Sequence, residues 1–303
     1  MERKYSDYGI ILLKGAAMGA ADVVPGVSGG TIAFITGIYD ELLNSIKSIN
    51  TPNLKLLLKG KAGAFWKAIN GNFLLCLAVG IGLSVFSLAR LITLLLENHP
   101  ILVWAFFFGL IAASTLLVAK DIRQWGFKTI AGFILGCAAA WFITAATPAQ
   151  TPENLIFIFI CGFIAICAMI LPGISGSFIL LLMGKYSFIM EAVKHLDPMV
   201  LGVFAMGAVC GIATFSRLLS YALNRFRNVT LSVLTGFMLG SLNKVWPWKE
   251  TVSTYTDSHG VEKALSEINV APDAFLWQSI LLAVAGFLLV WGVNRLSKRI
   301  NIC

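Results

Sequence analysis

The chain has 303 residues, of which 58% are hydrophobic and 13% charged, with a net charge of +8, and its mean hydropathy is +0.83. A soluble domain carries about 25% charged residues, so the composition excludes a soluble globular protein and implies a polytopic membrane protein. In such a chain the surplus of Lys and Arg reports orientation in the bilayer rather than nucleic-acid binding.

Met1 to Gly9 is polar, and the apolar run after it shows no small-residue cleavage site, so no cleavable leader is expected. Residues 10–24 and 28–46 then flank Pro25-Gly26-Val27-Ser28-Gly29. A basic connector, 47–70, follows with Lys47, Lys55, Lys59, Lys61 and Lys67, and apolar runs lie at about 72–96, 101–119 and 129–147. From 148 the plan repeats. Residues 154–171 and 174–194 surround Pro172-Gly173-Ile174-Ser175-Gly176, and runs follow at about 199–223, 228–246 and 274–294. The two Pro-Gly-x-Ser-Gly motifs are 147 positions apart, and Gly15/Gly162, Gly37/Gly184 and Tyr39/Tyr186 keep that register. Past the connector the offset becomes 127, pairing Gly80 with Gly207, Arg90 with Arg217 and Gly109 with Gly236. One duplicated unit, 1–147 and 148–303, with a connector of about 20 residues inserted in its first copy, accounts for both offsets. The six cysteines include no CxxC pair, which argues against a disulfide framework or a zinc site.

Pro removes a backbone donor, and Gly permits dihedrals a helix cannot use. Such a break inside an apolar run is tolerated where it is buried in protein or lines a cavity. A re-entrant helical hairpin at each motif, 10–46 and 154–194, gives each half three further crossings. The halves are then inverted, a pattern typical of transporters. Under that topology 15 of the 23 Lys and Arg residues fall on one side and four on the other. Both termini and the connector are therefore expected in the cytoplasm, and the polar loop 247–273 outside. The expected fold is an all-α membrane protein of two inverted repeats.

The motifs suit an anion. Ser28 and Ser175 are good helix N-caps, and the amides that follow lack intrahelical partners. Ser28, Gly29, Gly30 and Thr31 in the first loop, with Ser175, Gly176 and Ser177 in the second, are the candidate phosphate ligands. Tight helix–helix turns would need the same glycines. Arg90 and Arg217 sit inside apolar runs at equivalent positions, where an arginine costs at least ~2.5–3.5 kcal/mol without a partner. A guanidinium binds phosphate bidentately, and snorkelling to the interface is the alternative use. Lys14 and Lys185 are further cationic candidates. Asp22 precedes the first break where the second half has Met169. A lone carboxylate there is a candidate proton or sodium site, or the partner of a nearby cation. Gly26-Val27-Ser28-Gly29-Gly30 also fits a nucleophilic-serine motif, but His99, His195 and His259 all fall at or beyond the outer surface, leaving Ser28 without a base.

The run Gly15-Ala16-Ala17-Met18-Gly19-Ala20-Ala21-Asp22-Val23-Val24-Pro25-Gly26-Val27-Ser28-Gly29-Gly30-Thr31, followed by Gly37-Ile38-Tyr39, resembles the signature of the PopT-type polyprenyl-phosphate transporters. Leu171-Pro172-Gly173-Ile174-Ser175-Gly176-Ser177, with Gly184 and Tyr186, is similar to that family's second motif. The likeness spans nearly the whole chain. It implies a transporter of the bacterial or archaeal cytoplasmic membrane that returns undecaprenyl phosphate to the cytoplasmic leaflet for envelope synthesis. The expected partners are that lipid, the surrounding bilayer and, for ion-coupled transport, a proton or sodium ion, with no cofactor, metal or nucleic acid. A small-anion carrier and an intramembrane hydrolase are the competing classes. The ligand residues come from the chemistry of the motifs, not from the family.

Overall fold

The structure is a computed structural model. It describes residues 3, 5–23, 28–146, 151–152, 154–256 and 262–300; the first Pro-Gly break at 24–27 and His259 lie outside the described residues. The first half comprises α1 (Tyr5–Val23), α2 (Gly29–Ile35), α3 (Tyr39–Lys47), α4 (Thr51–Leu58), α5 (Ala62–Ala68), α6 (Gly71–Asn98), α7 (Pro100–Lys120) and α8 (Phe127–Ala145). The second comprises α9 (Leu155–Ile170), α10 (Gly176–Leu182), α11 (Tyr186–Lys194), α12 (Pro198–Arg225), α13 (Arg227–Ser241), strands β1 (Lys249–Thr256) and β2 (Glu262–Asn269), and α14 (Leu276–Ile300).

The bounds repeat with the sequence offsets. Adding 147 to the ends of α2 and α3 gives those of α10 and α11, and adding 127 to those of α6 gives α12. The stops have local causes. Pro100 and Pro198 open α7 and α12, where a missing amide costs nothing, and Asp197 caps the Met199 and Val200 amides at 2.9 and 3.1 Å. At Gly37 (φ +72°) and Gly184 (φ +62°) the chain leaves α2 and α10 through a left-handed turn that favours glycine.

Each second arm is therefore broken. The seven residues of α10 and the nine of α11 meet at 113°, and neither approaches the ~30 Å of a bilayer core at ~1.5 Å per residue. The first hairpin returns to the side on which it entered: Glu41 of α3 holds Arg3 at 2.6 Å and Asn70, just before α6, at 2.7 Å. In the second, Lys185 Nζ reaches back to Thr151 O, ahead of α9, at 2.7 Å.

Helices cross where small residues let backbones touch, which is how bundles gain packing energy in lipid. A Cβ on Gly15 would strike Leu77 O and one on Gly80 would strike Leu12 O; at equivalent positions Gly162 faces Phe204 O and Gly207 faces Phe159 O. Gly19 meets Ile81 O one turn beyond Gly15 on Leu77 O, and Gly211 meets Ile166 beyond Gly162 on Phe204 O, so α1 runs parallel to α6 and α9 parallel to α12. The later spans pair across the halves, with Gly109 and Gly286 joining α7 to α14 and Gly136 and Gly236 joining α8 to α13. One end of the bundle, the terminal face, carries Arg3–Glu41 and Arg227–Asp40 (3.4 Å). At the other, the hairpin face, Lys249 of β1 stacks on Trp104 near the start of α7. Large apolar side chains such as Phe86, Phe127 and Leu281 point outward, as a lipid-facing belt requires.

Among the described residues five helices are long and apolar enough to cross a membrane: α6, α7, α8, α12 and α14. The fold is helical, with three departures in detail from the sequence expectation. The run expected at 228–246 stops at Ser241, and the following turn is pinned by Trp246 Nε1 on Val270 O (3.0 Å) and Trp248 Nε1 on Ala274 O (2.9 Å). The polar loop folds as an antiparallel two-stranded hairpin, bulged near Ser253. The connector also holds two short helices, α4 and α5, with no buried residue in either.

Candidate functional site

The two broken tips meet. Ser28 Oγ donates to Met169 O at 3.0 Å, Gly173 N donates to Thr31 Oγ1 at 3.1 Å, and Tyr39 Oη donates to Ile170 O at 3.0 Å. A Cβ on Gly30 would come within 2.7 Å of Ile170 O, so only glycine allows this approach. Ser28 and Thr31 are fully buried, with Gly29 and Gly30 beside them, and Ser175 is 3% exposed.

The amides at the two tips are used differently. In α2, Gly29 N donates to Asp22 Oδ1 at 2.7 Å, Gly30 N to Ser28 Oγ at 3.0 Å and Thr31 N to Ser28 O at 2.9 Å. The carboxylate of Asp22 thus occupies the first amide, and the serine caps the next. In α10, Ser175 Oγ accepts from Phe178 N at 3.3 Å and lies 3.2 Å from Ser177 Oγ. Met169 replaces the carboxylate, and among the described residues the amides of half-buried Gly176 and Ser177 have no hydrogen-bond partner.

The cationic candidates separate. Lys14 Nζ is 2.7 Å from Thr36 O, and Lys185, 2% exposed, bonds Thr151 O. Lys14 reaches from the first arm to the turn at the end of the short helix. In the second half Lys185 occupies that turn itself. Arg217 is exposed on α12 and has no ion-pair partner among the described residues. Its position is eight residues, about 12 Å, before the end of α12 on the terminal face. Arg90, whose side chain lies outside the described residues, is eight residues before the end of α6, on the hairpin face. Equivalent in sequence, they sit at different depths.

Ser28 Oγ is committed to a carbonyl, and His99 and His195 are exposed away from the tips. Among the described residues no cluster of His, Cys, Asp or Glu is placed to hold a metal. Sequence reasoning assigned no role to Tyr39, which is 3% exposed and stacks on Phe34 at 4.3 Å, although its repeat register was visible. It also missed the buried Ser84 and Ser216 hydroxyls, which have no partner among the described residues; nothing in the local pattern marks them.

Residues 18–263 match the model of a family described as undecaprenyl phosphate translocase-like. The chain belongs to this family. A polyprenyl-phosphate transporter of Vibrio cholerae is 47% identical over 99% of this chain and 100% of its own. One of Staphylococcus aureus is 34% identical over 78% of this chain and 86% of its own. No solved structure matches. Family members so named are transporters, not hydrolases, in keeping with a Ser28 that has no histidine base among the described residues.

Proposed function

We propose that the chain carries polyprenyl phosphate, of the undecaprenyl class, across the cytoplasmic membrane of a bacterium. The terminal face lies in the cytoplasm, where most Lys and Arg residues gather, and transport runs toward it. The observation that carries the reading is the meeting of the two broken tips inside the bundle. It supports two inverted repeats, 1–147 and 148–303, each contributing one tip to a shared polar crossing point. The cargo has an anionic head and an apolar tail, so only the head needs shelter while the tail stays in lipid.

Gly176 and Ser177 supply open amides, Ser175 and Ser177 supply hydroxyls, and Ser28, Gly29, Gly30 and Thr31 form the facing wall. Arg90 and Arg217 act at successive depths rather than as one clamp: the first draws phosphate in from the hairpin face and the second draws it on toward the terminal face. Lys14 and Lys185 hold the turns behind the tips. Asp22 and phosphate compete for the Gly29 amide, so a proton or sodium ion that neutralises Asp22 opens the first tip. This couples ion binding to cargo. The test is reconstitution in liposomes loaded with undecaprenyl phosphate, following exposure of intact headgroups to each side. Protein-dependent movement of intact lipid supports the reading. Hydrolysed lipid, or labelling of Ser28 by a serine-directed phosphonate, contradicts it.

A further inference from the structure

Where β1 and β2 fold back over the bundle, three charges converge. Lys244 Nζ lies 3.1 Å, and Lys249 Nζ 3.5 Å, from the same oxygen of Glu267. Lys244 sits in the turn after α13, Lys249 opens β1, and Glu267 is on β2. The Lys249 side chain is only 7% exposed, with its ammonium 3.8 Å from the centre of the Trp104 ring, while Lys244 Nζ lies 4.9 Å from the centre of the Phe178 ring. Among the described residues one carboxylate therefore serves two ammonium groups. Aromatic faces offset part of the remaining charge, but a buried cation short of a counter-charge is costly. Burial pushes Lys249 down to about 8 even with Glu267 alongside. Burial opposes ionisation of Glu267 as well, yet Lys249 and Lys244 hold it below the usual carboxylate range. The cluster has room in its electrostatics for a second negative charge.

We propose that Lys244 and Lys249 form a receiving site for a phosphomonoester on the hairpin face, with Glu267 holding the phosphate's place until it arrives. This rests on the polyprenyl-phosphate reading and adds the residues that first meet the headgroup. A phosphomonoester carries about −1.5 to −2 charges at neutral pH, which matches two ammonium groups better than one carboxylate does. Glu267 is 23% exposed and so has a route back to water. Phe178 is the third residue of α10, directly after Gly176 and Ser177. Lys244 thus lies beside a side chain of the first turn of α10, next to the second tip of the polyprenyl-phosphate reading.

The test uses the full chain in phosphatidylcholine nanodiscs, with farnesyl phosphate as the probe, inorganic phosphate as the soluble anion and farnesol as the uncharged control. Lys244→Gln and Lys249→Gln should each weaken farnesyl phosphate binding about tenfold or more, the loss of a bond to a charged group. Glu267→Gln should tighten it severalfold, because the internal competitor is gone; a merely structural ion pair predicts no gain. Inorganic phosphate displacing the probe would identify a general phosphate site, and failure to displace it a lipid-headgroup site; both support the proposal. Wild-type affinity in both lysine variants overturns the receiving site but leaves the transport reading standing, whereas a wild-type chain that does not bind farnesyl phosphate overturns both. Farnesol binding as tightly as farnesyl phosphate also overturns it. Should Lys249→Gln not fold, Lys244→Gln and Glu267→Gln decide, and an unchanged or weakened Glu267→Gln protein counts against the proposal.

Discussion

The two hairpin tips share a motif and a backbone plan, but not a chemical state. The first carries its own anion: Asp22 sits on the Gly29 amide, Ser28 caps Gly30, and the tip is buried. The second has Met169 in place of the acid, amides at Gly176 and Ser177 without partners among the described residues, and a lysine over the Phe178 ring of its first turn. Duplication copies a fold. On the reading proposed above, a single acidic residue occupies the first amide of one tip and leaves the first turn of the other open to phosphate.

The largest effect should come from driving the tips apart. Gly30→Val places a branched side chain against Ile170 O, where the first atom alone would lie at 2.7 Å. We expect loss of folded protein, since overpacking at a backbone contact costs about 1–3 kcal/mol or more. Recovery of a monodisperse, thermally stable Gly30→Val protein would mean that the tips need not touch.

Next in size are the serines. A hydrogen bond to a charged group contributes about 1.5–3 kcal/mol, so Ser175→Ala and Ser177→Ala should each weaken farnesyl phosphate binding about ten- to a hundredfold. Ser28→Ala should instead register mainly in stability, by about 0.5–2 kcal/mol for a lost cap, because its hydroxyl is already committed to Met169 O and Gly30 N. Equal binding losses at Ser28 and Ser175 would erase the distinction between the tips.

Asp22 sharpens the comparison. Asp22→Asn keeps an oxygen acceptor for Gly29 N and removes the charge. Binding should stay within about threefold, well under the 1.4 kcal/mol of a tenfold change, while dependence of transport on a proton or sodium gradient disappears. Gradient dependence that survives in this variant would exclude Asp22 from coupling. The smallest expected effect is at Tyr39. Tyr39→Phe removes one bond between the halves and should cost about 1 kcal/mol, measured by thermal unfolding, with binding unchanged.

Much of this was legible in the residues. The repeat offsets anticipated the coincidence of helix bounds, and Ser28 and Ser175 cap the helices they precede because capping depends on residues two or three positions away. What escaped depends on tertiary geometry. Leu242, Val245 and Trp246 extend the apolar pattern past Asn243 and Lys244, yet Trp246 and Trp248 make their hydrogen bonds to Val270 and Ala274 beyond the end of the helix. The Thr-Val-Ser-Thr-Tyr-Thr alternation of β1 was a readable strand signal in a loop otherwise marked only by its charges. Arg90 and Arg217 are equivalent in register, but register does not give depth; the directions of α6 and α12 do. Lys244, Lys249 and Glu267 are up to 23 positions apart in the chain, and no local pattern brings them together.

The central claim, that phosphate meets the second tip while Asp22 occupies the first, is tested most directly by the backbone amides themselves. Chain labelled with 15N-glycine and 15N-serine in nanodiscs can be titrated with farnesyl phosphate while the Gly29, Gly176 and Ser177 resonances are followed. The account predicts that Gly176 and Ser177 shift with saturation in the wild-type chain while Gly29 stays in place, and that Gly29 joins them in Asp22→Ala. A wild-type titration in which Gly29 shifts and Gly176 and Ser177 do not would contradict it.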